Sequence, residues 1–340
     1  MKIIVDAFGG DNAPVEILKG CEMAVGKYGV DILLTGSEEK IKKAAKENGI
    51  SLDRMEIVDA PDVITMSDHP NSLRGEKKNS SLAVALRLLK EGAGDAMVGA
   101  GSTGAMLMGA TTMVGRIKGV KRPALAPVMP GANGVFMLID CGANADCRAD
   151  MLVQFAHMGS IYMEKVIGVS SPRVGLANVG TEDTKGDMLR QETFPLLRAS
   201  SLNFIGNIEG RDIPLDVCDV VVADGFTGNL ILKMYEGVAK ALMGKIKGVM
   251  TASVKNKIGA ALMLKDMKKM AKTIDYNEYG GAPFLGVKKP VFKAHGSSMA
   301  KTFCNAIGQA KQYAEAGVVD SIAEAMEHIP AAPASSADGE

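Results

Sequence analysis

Five times along the chain an apolar, strand-like run gives way to a turn of glycine and small polar residues. The runs are KIIVDAFGGDN, DAMVGAGSTGA, FMLIDCGANAD, RVGLANVGTEDTKGD and CDVVVADGFTGN. With helical segments between them, they predict an α/β fold: a mostly parallel sheet with helices on both faces. In open sheets of this kind ligands bind beyond the carboxyl ends of the strands, so the turns are expected to converge on one crevice. Glycine lets the backbone approach a ligand closely, and amides at helix starts attract anions, so the expected ligand is phosphate-like. None of the turns carries the lysine spacing of a P-loop or the spacing of a dinucleotide fingerprint.

The alternation predicts one α/β catalytic unit over residues 1–328, with a helical basic subregion at 239–272. The Ala/Pro/Ser-rich tail at 329–340 is expected to be disordered. Ala60 to Lys78 reads as a long polar connection, of the length at which binding loops occur. Thirty-nine basic residues balance 39 acidic ones, so the whole molecule lacks the field of a nucleic-acid-binding protein. Tryptophan is absent and aromatics are 4%, which argues against platforms built on base or sugar stacking. Five cysteines without a Cys-x-x-Cys pair fit reduced thiols in a cytoplasm. The strand-like Ile3 to Val5 follows Met1 and Lys2 directly, so no signal peptide is expected, and no apolar run is long enough for a membrane span. The four histidines show no metal spacing, and no G-x-S-x-G elbow is present, so neither a metal nor a serine nucleophile is expected.

Within VVVADGFTGN, a strand ends at Ala223 and a helix is expected near Gly228. Thr227, Asn229 and the amides around Gly225 and Gly228 are candidate donors to one anion; the competing reading makes Thr227 a simple helix cap. Within NVGTEDTKGD, Lys185 stands at a predicted helix start, where the helix dipole disfavours a cation. Neutralising a bound anion would explain it, although weak pairing with Glu182, Asp183 and Asp187 would serve as well. Ser102 and Thr103 sit at the strand-to-helix turn of GAGSTGA, and Gly9, Gly10, Asp11 and Asn12 in that of DAFGGDNAP. KKPVFKAHGSS gathers Lys288, Lys289, Lys293 and His295 before Ser297, a good helix cap; a lone histidine is more often structural, but four positive or protonatable groups beside a helix start favour contact with an anion.

The stretch 239–272 holds nine lysines against one acid, Asp266. Ile246, Met250, Val254, Ile258 and Leu262 recur every fourth position, which predicts one apolar face beside Lys255, Lys257, Lys265, Lys268 and Lys269. Such a helix suits an anionic membrane surface or an acidic protein partner; packing of its stripe on the core is the alternative.

Six motifs in series, MKIIVDAFGGDNAP, VGAGSTGA, IDCGAN, NVGTEDTKG, VADGFTGN and GGAPFLGVKKPVFKAHGSS, resemble those of the bacterial phosphate acyltransferases that use acyl-acyl carrier protein. The resemblance spans Met1 to Glu327, and departs from the usual pattern at Asp187, where asparagine is common. It implies transfer of a fatty acyl group to inorganic phosphate, giving acyl phosphate for phospholipid synthesis. It implies a fold similar to isocitrate and isopropylmalate dehydrogenases and to phosphotransacetylase. It further implies a homodimer without cofactor, in the cytoplasm and peripherally associated with the inner face of the membrane, in reach of a membrane glycerol-3-phosphate acyltransferase. Carried over by motif, Lys185 and Asn229 are the leading active-site residues. The rival readings are a dehydrogenase on the related fold, a short-chain acyl-coenzyme A phosphotransferase and a membrane-surface scaffold.

Overall fold

The computed structural model describes residues 1–274 and 279–329. In chain order its elements are β1 (Lys2–Asp6), α1 (Val15–Tyr28), β2 (Asp31–Gly36), α2 (Glu38–Asn48), β3 (Met55–Asp59), α3 (Ser81–Glu91), β4 (Ala96–Gly99) and α4 (Thr103–Gly109). There follow β5 (Ala124–Leu125), β6 (Val128–Pro130), β7 (Val135–Ile139), α5 (Ala149–Tyr162), β8 (Arg173–Asn178), α6 (Met188–Arg198), β9 (Asn203–Glu209) and β10 (Val220–Val222). Last come α7 (Gly225–Thr251), α8 (Val254–Ile274), β11 (Ala282–Leu285), β12 (Val291–Lys293), α9 (Ala300–Glu315) and α10 (Val318–His328). The predicted tail lies, apart from Ile329, outside the described residues.

The strands divide into two sheets, with orders β3-β2-β1-β4-β12-β11-β5 and β6-β7-β10-β8-β9. Pairing is parallel except where β11 meets β12 and β5, and where β6 meets β7. The central strands, such as KIIVD and VVV, are nearly continuous apolar runs because helices cover both of their faces. Helix boundaries follow local chemistry: Ser37 and Ser80 cap α2 and α3 with their side chains, and Gly49 and Gly92 close them in the left-handed conformation.

Residues Ala124 to Pro130 pass from the first sheet to the second, and the two sheets are tied there by the Cys141 amide donating to the Leu125 carbonyl at 2.9 Å. Two buried clusters run across that junction, each drawing on both sheets. Tyr162 of α5 and Tyr313 of α9 lie with ring centroids 5.9 Å apart, and Phe292 of β12 meets Tyr313 edge-on at 5.5 Å. The late elements β11, β12 and α9 therefore return to complete the first sheet.

Three local expectations change. Helix α7 begins at Gly225 rather than Gly228, because the Asp224 carboxylate accepts from the Thr227 amide and caps it. Asp187, not Lys185, starts α6, by accepting from the Arg190 amide. Ser297 does not cap α9; that helix begins at Ala300, whose amide donates to Glu16 of α1 at 3.0 Å. The 60–78 connection contains a short 3-10 turn at Pro70–Arg74, anchored by the buried Leu73.

The basic stretch is helical but broken. Helix α7 ends at Thr251 and α8 begins at Val254, with the Ser253 hydroxyl accepting from the Asn256 amide at 3.1 Å. The four-residue spacing from Ile246 to Leu262 therefore spans two helices rather than one face. The packed-stripe alternative is not what this chain forms, since Ile258 is 60% and Leu262 84% exposed.

Candidate active site

Three turns meet at the carboxyl ends of β1, β4 and β12. A Cβ on Gly9 would lie 2.7 Å from the Gly101 amide nitrogen and 2.8 Å from Asp6 Oδ2, so only glycine lets these turns touch. The Asp11 amide donates to the Gly296 carbonyl at 2.8 Å, and the Asn12 side-chain amide donates to the Ser297 carbonyl at 3.2 Å. Asp6 is buried beneath them, accepting from the Phe8 amide, and burial raises its pKa.

The second sheet contributes the turns after β7, β8 and β10. Asp140 is fully buried and accepts from the amides of Leu125 (2.9 Å), Ala143 (3.2 Å) and Asn144 (2.7 Å), and from the Asn144 side chain (3.0 Å). Burial nevertheless raises its carboxyl to about 6. Arg190 of α6 joins two turns: it donates to the Asp224 carboxylate, to the Thr227 hydroxyl at 3.0 Å and to the Ala177 carbonyl at 3.4 Å. Burial pushes Asp224 up, but the Thr227 amide and hydroxyl and the Arg190 guanidinium outweigh it and hold the carboxyl below its ordinary range. A Cβ on Gly228 would strike the Asp140 carbonyl oxygen, so glycine there lets the first turn of α7 rest on the β7 turn.

Between the two sets of turns lies a cleft of about 440 Å³. Asp11, Thr103, Lys293 and His295 line it from the first sheet, and Cys141, Asn229, Lys233 and Glu236 from the second. Met66, Leu125, Pro127, Met129 and Leu232 supply an apolar wall. Lys233 pairs with Glu236 at 2.9 Å. His295 Nδ1 accepts from the Ser297 amide at 3.3 Å and lies 2.8 Å from the Ser297 hydroxyl. Burial lowers the His295 pKa, with Lys233 and Lys293 adding to the effect against Glu236 and Asp11. Burial likewise lowers the Lys293 ammonium to about 8, helped by Lys233 and opposed by Asp11. The Cys141 thiol is pushed well above its usual range, so it supplies little thiolate nucleophile at neutral pH.

Of the residues singled out in the sequence, Asp11, Thr103, Asn229 and His295 line this cleft. Gly9, Gly10, Asn12, Ser102 and Ser297 build its rim: Ser102 caps α4 and Ser297 bonds the His295 ring. The amide cradle expected around Gly225 to Gly228 is otherwise engaged. Gly225 donates to the Asn144 carbonyl, Thr227 to the Asp224 carboxylate and Gly228 to the Asp224 carbonyl. Lys185 is exposed on the loop between β8 and α6 and is not among the residues lining the cleft. Its amide donates to the Glu182 carbonyl and its own carbonyl accepts from the Asn178 side chain. Lys255, Lys257, Lys265, Lys268 and Lys269 are exposed along α8. Lys293, of the basic cluster before Ser297, lines the cleft too, and Lys233 and Glu236 join it without having stood out in the sequence. The latter two follow Asn229 at i+4 and i+7, so one helix face carries all three, a spacing visible in the sequence.

The sequence pattern of a family described as "Fatty acid synthesis protein" matches residues 1–321. The phosphate acyltransferase of Clostridium acetobutylicum is 49% identical, over 97% of this chain and 100% of its own length. That of Clostridium novyi is also 49% identical, over 96% of this chain and 99% of its own. Among solved structures, EutD phosphotransacetylase from Staphylococcus aureus superposes with a TM-score of 0.60 at 15% identity, covering 93% of this chain and 94% of its own. A 4-hydroxythreonine-4-phosphate dehydrogenase from Klebsiella pneumoniae gives 0.53 at 14%, covering 92% and 98%. These two likenesses are of fold. Among the described residues, no helix is long and apolar enough to cross a membrane.

Proposed function

The chain belongs to the phosphate acyltransferase family, and on that premise we propose that it moves a fatty acyl group from acyl-acyl carrier protein to inorganic phosphate. The observation that carries this reading is the cleft itself, which sets the basic groups Lys233, Lys293 and His295 against an apolar wall beside Asn229. A small anion suits the first and an acyl thioester the second.

An oxygen of hydrogen phosphate attacks the thioester carbonyl, the carbon–sulfur bond breaks, and the phosphate proton ends on the thiol. The products are acyl phosphate and the free thiol of the carrier. Phosphate is already anionic near neutral pH, and a thiol of pKa about 8.5 leaves without obligatory protonation, so no strong base or acid is required. What the protein supplies is orientation and charge stabilisation. Asn229 donates to phosphate or to the tetrahedral oxygen. Lys185 neutralises charge from the β8 loop, a role that rests on its place in the NVGTEDTKG motif, since its side chain stands outside the cleft lining.

Acyl carrier protein is an acidic partner, and the exposed lysines of α8 steer it. We propose a cytoplasmic homodimer held at the inner membrane face; exposed apolar positions beside those lysines, such as Val254, Ile258 and Leu262, support the membrane contact. The test compares carrier-protein and coenzyme A thioesters of one long acyl chain. Faster acyl phosphate formation from the carrier-protein donor is expected; equal or faster reaction from coenzyme A would assign the donor to that class instead.

A further inference from the structure

Lys293 occupies the last position of β12, paired in parallel with Gly99 of β4 and antiparallel with Ala282 of β11. The ladder fixes its backbone on both sides. That side chain is half-buried and lines the cleft. Among the described residues, no carboxylate forms an ion pair with its ammonium, whose hydrogen bond goes to the neighbouring Ala294 carbonyl at 3.1 Å. A partly desolvated cation bonded only to a neutral carbonyl is costly unless something anionic completes it.

Lys233 approaches the same space from α7 and presses on the charge of Lys293, while Asp11 and Glu236 are the acids acting on this cluster and His295, Cys141 and Tyr279 are the other titratable groups lining the cleft. Glu236 is engaged by Lys233. A dianion seated against Lys293 would relieve the repulsion between the two lysines and give the half-buried ammonium its counter-charge. We infer that Lys293 is a catalytic residue that binds the attacking phosphate directly, anchoring it in the cleft beside Asn229. This rests on the acyltransferase reading above and names the group that holds its nucleophile.

Two measurements separate this inference from that reading. Sulfate is a dianion throughout the range from about pH 7 to pH 9, so its equilibrium binding to the enzyme, followed by calorimetry, reports the protein's titration alone. Wild-type protein should bind sulfate more weakly as pH rises through about 8, and Lys293→Met should bind it at least on the order of tenfold more weakly with little pH dependence over that interval. In steady-state assays Lys293→Met should raise KM for phosphate by at least a similar factor while KM for the thioester moves less than about twofold, and Lys293→Arg should recover part of the loss. Circular dichroism and thermal melting establish that each variant is folded. A folded Lys293→Met protein with wild-type sulfate affinity and wild-type KM for phosphate would overturn the inference. If wild-type protein made no acyl phosphate, the acyltransferase reading would fail, and sulfate binding alone would still decide whether Lys293 anchors an anion.

Discussion

The Arg190 guanidinium holds the Asp224 carboxylate, and Asp224 in turn caps the helix that carries Asn229. Both side chains are more than nine-tenths buried. One ion pair therefore joins α6, the β10 turn and the first turn of α7, and any loosening of it is transmitted to the cleft.

Replacing Arg190 with methionine should cost about 3–5 kcal/mol, because it leaves a buried carboxylate without its counter-charge. Urea denaturation measures this directly. The Asp224 carboxyl is held below its ordinary range in the folded state, so its contribution is present above the unfolded carboxyl value near 4 and is lost as pH falls through the lower folded value. In the variant that acid-side dependence should be weaker, because the Thr227 amide and hydroxyl still hold the carboxylate but the guanidinium no longer does.

Asp140 provides the opposite sign. Its folded pKa is raised to about 6 by burial, so its contribution is complete below the unfolded value near 4 and is lost as pH rises through about 6. The Asn144 amide, which donates to Asp140 Oδ2, should show an NMR shift that titrates with a midpoint near 6. An Asp140→Asn protein should lack that titration and be less stable by about 1–3 kcal/mol at pH 5, since an amide NH₂ would face donors that now meet an acceptor.

Gly228→Ala should lower stability by about 1–3 kcal/mol through overpacking, because its Cβ meets the Asp140 carbonyl, which is backbone and has no rotamer to yield. The shift moves Asn229, so turnover should fall by more than the stability change alone predicts. Gly237→Ala, on the same helix with open space around it, should leave turnover unchanged and raise stability by about 0.5–1 kcal/mol, since alanine loses less backbone freedom in a helix than glycine.

Activity with the carrier-protein donor should fall as ionic strength rises from about 0.01 to 0.15 M, over which the screening length shrinks from about 30 to 8 Å. Charge-reversing Lys265 and Lys268 together should flatten that dependence. The coenzyme A thioester, which does not present the carrier protein's acidic surface, should respond less.

The glycine turns were readable in the sequence because each role is local: an apolar run, a glycine and a cap lie within ten residues. Their division between two sheets was not, since β11 and β12 join β4 and β5 only through long-range pairing, and nothing in APFL or VFK names those partners. The every-fourth-residue apolar row misled in a different way. Periodicity carries across Ala252 and Ser253 although the helix does not, and Ser253 as a capping residue was the signal for the break. Thr227 read as a donor to a ligand, yet its amide and hydroxyl are both taken by Asp224. Lys293 was legible only as one of four basic groups in KKPVFKAHGSS; which of them enters the cleft, and that its ammonium meets no carboxylate among the described residues, depend on the folded chain.

Thiol release from a long-chain acyl-acyl carrier protein, followed with and without inorganic phosphate and with the acyl product identified, decides whether this chain makes acyl phosphate. The account predicts phosphate-dependent release with acyl phosphate as product, reduced on the order of 100- to 1000-fold in Asn229→Ala and strongly in Lys185→Ala. Release independent of phosphate, or none at all from folded protein, would contradict it.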